Sequence, residues 1–216
     1  MEILLQQLFN GLVLGSMYAL IALGYTMVYG VLNLINFAHG DVLMVGAMLA
    51  LTVIKILLPW LPHAPVVVLI IALVIAMATC ALLSYGIERV AYRPLRNAPR
   101  LAPLITAIGV SILLQTVAMM LWSRNPLTFP QLLPATPIEV AGTGATITGK
   151  EIVIFCVSIV VMMALLFLVE KTKLGRAMRA TAENPKVASL MGVDPSRIIS
   201  MTFVLGGSLA ALAQGG

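Results

Sequence analysis

The side chains best able to do chemistry in this chain crowd into one stretch, NLINFAHGD, Asn33 to Asp41. There two amides (Asn33, Asn36), an imidazole (His39) and a carboxylate (Asp41) interrupt long apolar runs. Such a set can hydrogen-bond a polar solute, or pass a proton between His39 and Asp41. Polar groups at membrane depth are costly and face a pathway or another helix; at the interface the same residues are simply hydrated. Gln115, Thr106, Ser111 and Thr116 form a weaker second set. Other chemistry finds little support. His39 and His63 have no second ligand at helical spacing, so no metal site is expected. Cys80 and Cys156 lie inside apolar runs and read as small buried hydrophobes. No nucleophile–base pair is visible. GATITGKE, Gly144 to Glu151, imitates a phosphate-binding loop but puts Glu151 where Ser or Thr should hold magnesium. A carboxylate there repels phosphate, so no nucleotide site is expected.

The elements that must position these residues are membrane helices. Of 216 residues 61% are hydrophobic and 10% charged, against roughly a quarter charged in a soluble domain. There is too little polar surface to cover a soluble globule. The fold class expected is all-α, a polytopic transmembrane bundle of about six spans. The uncharged run from Ile3 to Gly40 would be about 57 Å long as one helix, too long for one crossing of a core about 30 Å thick. It is therefore divided into a helix over 7–31, a break across 33–41 and a second helix over 42–58. Further helices are predicted over 66–87, 101–122 and 152–169. The last begins near Pro195 and is still running at Gly216.

Ten of the 13 basic residues fall in two loops, 88–100 and 170–197. The net charge of +5 thus marks a membrane surface and not nucleic acid. The positive-inside rule puts those loops in the cytoplasm, and 59–65 and 123–151 outside. The N-terminus then lies outside, unless the break is re-entrant. MEILLQQ has an acid where a secretory signal has basic residues, so the first segment reads as a retained helix. Within the outer loop, Ile138–Ala141 and Thr146–Thr148 flank Gly142-Thr143-Gly144 and read as a small hairpin. That loop is either a cap over the helices or a docking surface for an extracytoplasmic partner. Gly11, Gly15 and Ala19 recur at a spacing that lets membrane helices approach closely.

In the second basic loop, Asn184-Pro185 and Asp194-Pro195 each set an N-cap before a proline at the first helical position, and Gly192 suits the stop between them. The spacing predicts a short helix over 185–191 with Val187, Leu190 and Met191 as its apolar stripe. So short a helix needs a partner surface. It either docks on this chain's own helix ends or on headgroups, or inserts into a separate cytoplasmic subunit as a coupling helix.

GLVLGSMYALIALGYTMVYGVLNLINFAHGD, Gly11 to Asp41, and TKLGRAMRATAENPKVASLMGVDPSRIISMTFVLGGSLAALA, Thr172 to Ala213, resemble bacterial high-affinity branched-chain amino-acid ABC transporter permeases, over essentially the whole chain. The resemblance implies an inner-membrane subunit that pairs with a second homologous permease. It also implies two cytoplasmic ATPase subunits, a periplasmic substrate-binding protein and surrounding membrane lipid. It implies no cofactor on this chain, since ATP and Mg belong to the partner subunits. Gly175, Arg176, Glu183, Asn184, Pro185, Leu190 and Gly192 are the expected ATPase-coupling residues. Asn33, Asn36, His39 and Asp41 are the expected substrate pathway. Relatives carrying urea or short amides share much of the pattern, and an ion-coupled carrier or channel with a His39–Asp41 relay is the alternative of another class. Family members continue for several more helices, and Gln214-Gly215-Gly216 departs from them, so a C-terminally truncated chain is expected.

Overall fold

Apolar windows decide most of the architecture. In a computed structural model, the described residues are 2–32, 34–96, 98–99, 101–122, 127–130, 137–139 and 146–212. The helices are α1 (Glu2–Leu32), α2 (His39–Leu57), α3 (Pro65–Ile87), α4 (Leu101–Leu121), α5 (Gly149–Lys171), α6 (Lys173–Glu183), α7 (Pro185–Leu190) and α8 (Pro195–Leu212). All but α6 and α7 are long and apolar enough to cross a membrane, giving six spans among the described residues. The chain is an all-α polytopic bundle. Two short strands, β1 (Pro137–Glu139) and β2 (Thr146–Thr148), pair antiparallel with Ile138 opposite Ile147. The first strand starts one residue earlier than expected, and the turn around Gly142–Gly144 lies outside the described residues.

Gln6 fixes the direction of α1. Its amide donates to the Thr146 carbonyl at 3.0 Å and accepts from the Thr146 N–H at 2.8 Å. The other end of α1, at Met27 and Val31, lines a cleft with Met178 and Ala182 of α6. Helix α1 therefore runs the full height, from the strand pair to the end bearing α6 and α7. Helix α2 runs back, and Trp122 Nε1, just past α4, donates to Thr52 Oγ1 near its far end at 2.7 Å. The break is thus a turn after which the chain continues as a helix long enough to cross a membrane.

Three helices begin more than one residue earlier than expected, α1 at Glu2 and not at 7, and two others beside a polar side chain. Helix α2 begins at His39 and not at 42, because Asn36 Oδ1 accepts the Ala38 N–H at 3.2 Å and sets the first turn. His39 and Asp41 are consequently helical. Helix α5 begins at Gly149 and not at 152, because the Glu151 carboxylate accepts the Thr148 N–H at 2.9 Å. Glu151 is thus a helix cap.

Past Ile87 the chain does not become a loop. It continues as a π-helical stretch, Glu88–Tyr92, and a 3-10 turn, Arg93–Leu95. The Cys80 thiol meets the Val42 carbonyl at 3.5 Å, midway along the helical path Pro65–Leu95. The foot of α2 thus stands about half-way up its neighbour.

Helix α8 is the most enclosed, with Thr202, Phe203, Gly206, Gly207 and Ala210 all buried. It packs against α1, α2 and α3. A Cβ added at Gly207 would lie 2.6 Å from the Cys80 carbonyl oxygen. By contrast, a Cβ at Gly11 or Gly15 would meet nothing within 4 Å, so neither glycine makes a close helix contact among the described residues. Helix α5 buries only Ser158, which leaves Cys156 exposed where a buried thiol was expected.

Candidate functional site

At one end of the bundle, α5 turns sharply into α6. Thr172 is the cap, accepting the Gly175 N–H at 3.2 Å and donating to the Leu168 carbonyl. Arg179 donates to the Val169 carbonyl. A Cβ at Gly175 would run into the Val169 and Leu168 carbonyls, so glycine is required by close backbone approach. Gly175 is buried in this corner, while Arg176 and Glu183 are exposed.

Asn184 then caps α7 with one side-chain oxygen, taking the Lys186 and Val187 N–H groups at 3.1 and 3.2 Å. Pro185 follows at the first helical position. Gly192 stops the helix at φ +83°, in the left-handed region that favours glycine. Asp194 caps α8 through the Ser196 N–H at 2.9 Å. Of α7 itself only Ala188 is buried. Leu190 and Met191 are 85% and 81% exposed, and Val187 is half-exposed. The apolar stripe therefore does not dock on this chain's own described helix ends. It projects from the bundle.

The polar residues of the break do the opposite. Asn36, His39 and Asp41 are all buried. They fan out to different helices. Asn36 Oδ1 accepts from the Tyr92 hydroxyl of the π-helical stretch at 3.0 Å. Asp41 Oδ1 accepts from Gln115 Nε2 of α4 at 2.9 Å, and Gln115 also donates to Ser111 Oγ at 3.2 Å. The His39 ring meets Tyr25 edge-on at a centroid distance of 4.7 Å. A Cβ at Gly24 would sit 2.8 Å from His39 Nε2, an atom without a hydrogen-bond partner among the described residues. Asn33 lies outside the described residues. Simple hydration at an interface is thus excluded for Asn36, His39 and Asp41. They form a junction, and Gln115, itself exposed, carries it to the bundle surface.

Below this junction lies a cavity of about 490 Å³, lined by Tyr29, Leu32, Tyr92, Arg96 and Pro103 among others. Beside it, Glu88 is fully buried and ion-paired with Arg96. Its second oxygen accepts from Ser200 Oγ of α8 at 2.6 Å, and Arg96 Nη1 donates to Ser196 Oγ at 2.8 Å. Among the described residues no group of three or more His, Cys, Asp or Glu could hold a metal ion.

Residues 7–215 match the family described as the branched-chain amino acid transport system permease component. The chain belongs to that family. The permease is 45% identical over 212 residues to the Pseudomonas aeruginosa high-affinity branched-chain amino acid transport system permease protein BraD, covering 97% of this chain and 69% of that protein. To the Escherichia coli K12 counterpart, LivH, it is 41% identical over 211 residues, covering 97% and 68%. A probable branched-chain amino acid transport permease protein LivH of Methanocaldococcus jannaschii is 30% identical over 215 residues, covering 95% and 64%. No solved structure matches.

Two features of the permease escaped sequence reasoning. Glu88 and Arg96 fall within the segment expected as the loop 88–100, though their spacing of eight residues is itself compatible with one continuous helical path. Helix α6 was read as loop, although Gly175, Met178 and Thr181 recur every three residues and are its buried face. The cap on α7 has a measurable consequence. Asn184→Ala is expected to cost about 1 kcal/mol of local helix stability. Faster amide hydrogen exchange confined to 185–190 would report it, and unchanged exchange would remove the cap from the argument.

Proposed function

We propose that this permease is the inner-membrane subunit of a binding-protein-dependent importer that moves branched-chain amino acids by ATP-driven alternating access. The observation that carries the reading is α7, a capped helix outside the spans whose Leu190 and Met191 are almost wholly exposed. Burying each such side chain is worth about 1.5–3 kcal/mol, which calls for a partner with an apolar pocket. Two cytoplasmic ATPase subunits supply it, one to each of two homologous permeases, and a periplasmic binding protein delivers solute at the strand-pair end. Gly175 holds the corner, Arg176 and Glu183 flank the contact, and Asn184, Pro185, Leu190 and Gly192 form and stop the lever. ATP and Mg act in the ATPase subunits, and this chain binds no cofactor. The relatives' names, which speak of branched-chain amino acid transport, support that solute over urea or amides.

The pathway follows the surface of α4 where Gln115 and Ser111 meet Asp41, with Asn36 and His39 behind it; Asn33 is retained from the sequence. An exposed amide at bilayer depth is costly against lipid and belongs against water or protein. A zwitterion needs both donors and acceptors, which Gln115, Ser111 and Asp41 supply together. Co-reconstitution of the full-length permease pair, ATPase and binding protein in vesicles tests the reading. Labelled leucine should accumulate only with ATP and all components. Uptake driven by a proton gradient without the ATPase would instead establish a self-sufficient carrier. In the working system Gln115→Leu should lower uptake about tenfold, the scale of one hydrogen bond to a charged group.

A further inference from the structure

The Glu88–Arg96 pair, with its carboxylate fully buried and its guanidinium partly so, is expensive to explain as a stabilising device. Replacing such pairs by apolar residues of similar volume is often neutral or favourable, and their best-attested use is to fix a register or a switch. Its position is specific. Glu88 opens a π-helical stretch, a rare geometry concentrated at functional sites. Its carboxylate reaches Arg96 on one side and Ser200 on the other, while Arg96 reaches Ser196. Ser196 is the second residue of α8, its N–H held by Asp194, and the linker before Asp194 is tied to α7 by the Val193 N–H on the Ala188 carbonyl at 3.0 Å. Four residues beyond Glu88 in the same π-helical stretch, Tyr92 packs against Phe203 with ring centroids 5.3 Å apart and donates to Asn36, whose turn starts α2. Arg96 Nε is buried without a partner among the described residues.

We propose that Glu88 is a positioning residue for transport, the latch through which movement of α7 and the foot of α8 reaches the π-helical stretch and the polar junction at Asn36. The proposal rests on the coupling role given to α7 above. When α7 is displaced, α8 carries Ser196 and Ser200 with it. The carboxylate transmits that displacement to the stretch that carries Tyr92, because the fully buried Glu88 charge cannot be left without its partners. A packing role alone would show as lost stability with an unaltered yield of solute per ATP.

The test uses the complete complex in vesicles, with uptake and hydrolysis measured together. Glu88→Gln keeps size and shape but removes the charge. It is expected to assemble and to retain basal ATP hydrolysis, while solute moved per ATP falls about tenfold, within the usual range of coupling between sites. The exchange Glu88→Arg with Arg96→Glu should recover part of that ratio. If Glu88→Gln fails to assemble, Ser200→Ala decides, because it removes one hydrogen bond and leaves the ion pair; its ratio should fall about fivefold. A wild-type ratio in assembled Glu88→Gln, or in Ser200→Ala where that variant decides, overturns the latch. Wild-type complex without ATP-driven uptake would count against the transport reading itself, which keeps the two failures apart.

Discussion

Gly207→Leu is expected to prevent the bundle from closing. At this position α8 meets α3 backbone to backbone. A Cβ would lie 2.6 Å from the Cys80 carbonyl oxygen and 2.9 Å from Ser84 Cβ, with Ser84 Oγ also in the way. Cys80 and Ser84 are both buried, so the neighbours have nowhere to retreat. A carbonyl oxygen cannot rotate aside as a side chain can, so the helices themselves must separate. Inserted bulk of this kind costs about 3 kcal/mol or more. Separation of α3 from α8 also pulls Ser200 from Glu88, adding the loss of a buried charge's partner. The measurement is the yield of monodisperse protein and its melting temperature in mild detergent. Gly11→Leu is the matched control, since Gly11 is exposed and nothing lies within 4 Å of a Cβ there, and it should melt as wild type does. Equal melting of the two variants would mean that α8 does not lie against α3 at Gly207.

Leu190→Arg should have the opposite profile, intact as a membrane protein and inert as a transporter. Leu190 is 85% exposed, so a charge at its place costs the isolated chain nothing in packing. Placed against an apolar pocket of a partner subunit, the same guanidinium would be buried without a counter-charge. A penalty of that type at the centre of an interface corresponds to a loss of about a hundredfold or more in productive association. Melting and membrane insertion should match wild type, while ATP-driven uptake and retention of the ATPase subunit on an affinity column fall together. Unchanged uptake would remove α7 as the coupling element.

The two variants also mark what the sequence discloses and what it hides. The tip of α7 was legible because caps are local: Asn184-Pro185, Gly192 and Asp194-Pro195 act on N–H groups two or three residues away, and all were realised. The six spans were legible because length and hydropathy are summed over a window. Contacts between segments remote in sequence were not. Glu88 reads as a charge at a helix end until Arg96, Ser196 and Ser200 are brought round it, and that meeting depends on a π-helical turn that no periodicity announces. The stripe at Gly11 and Gly15 matched a helix-packing pattern and is exposed, whereas Gly206-Gly207, of the same composition, is locked between helices. Small residues license close approach, and only the partner helix decides where it happens. For the polar junction, residue types were legible and their burial was not, because Asn36, His39 and Asp41 each answer to a different helix.

The raised foot of α2 leaves room beneath it. A polar cavity of about 490 Å³ under Asn36 and Tyr92 is roomy enough for water. Arg96 lines it with a side chain that is 22% exposed, while Glu88, its partner, is not exposed at all. One end of the ion pair therefore stands in a wetter dielectric than the other.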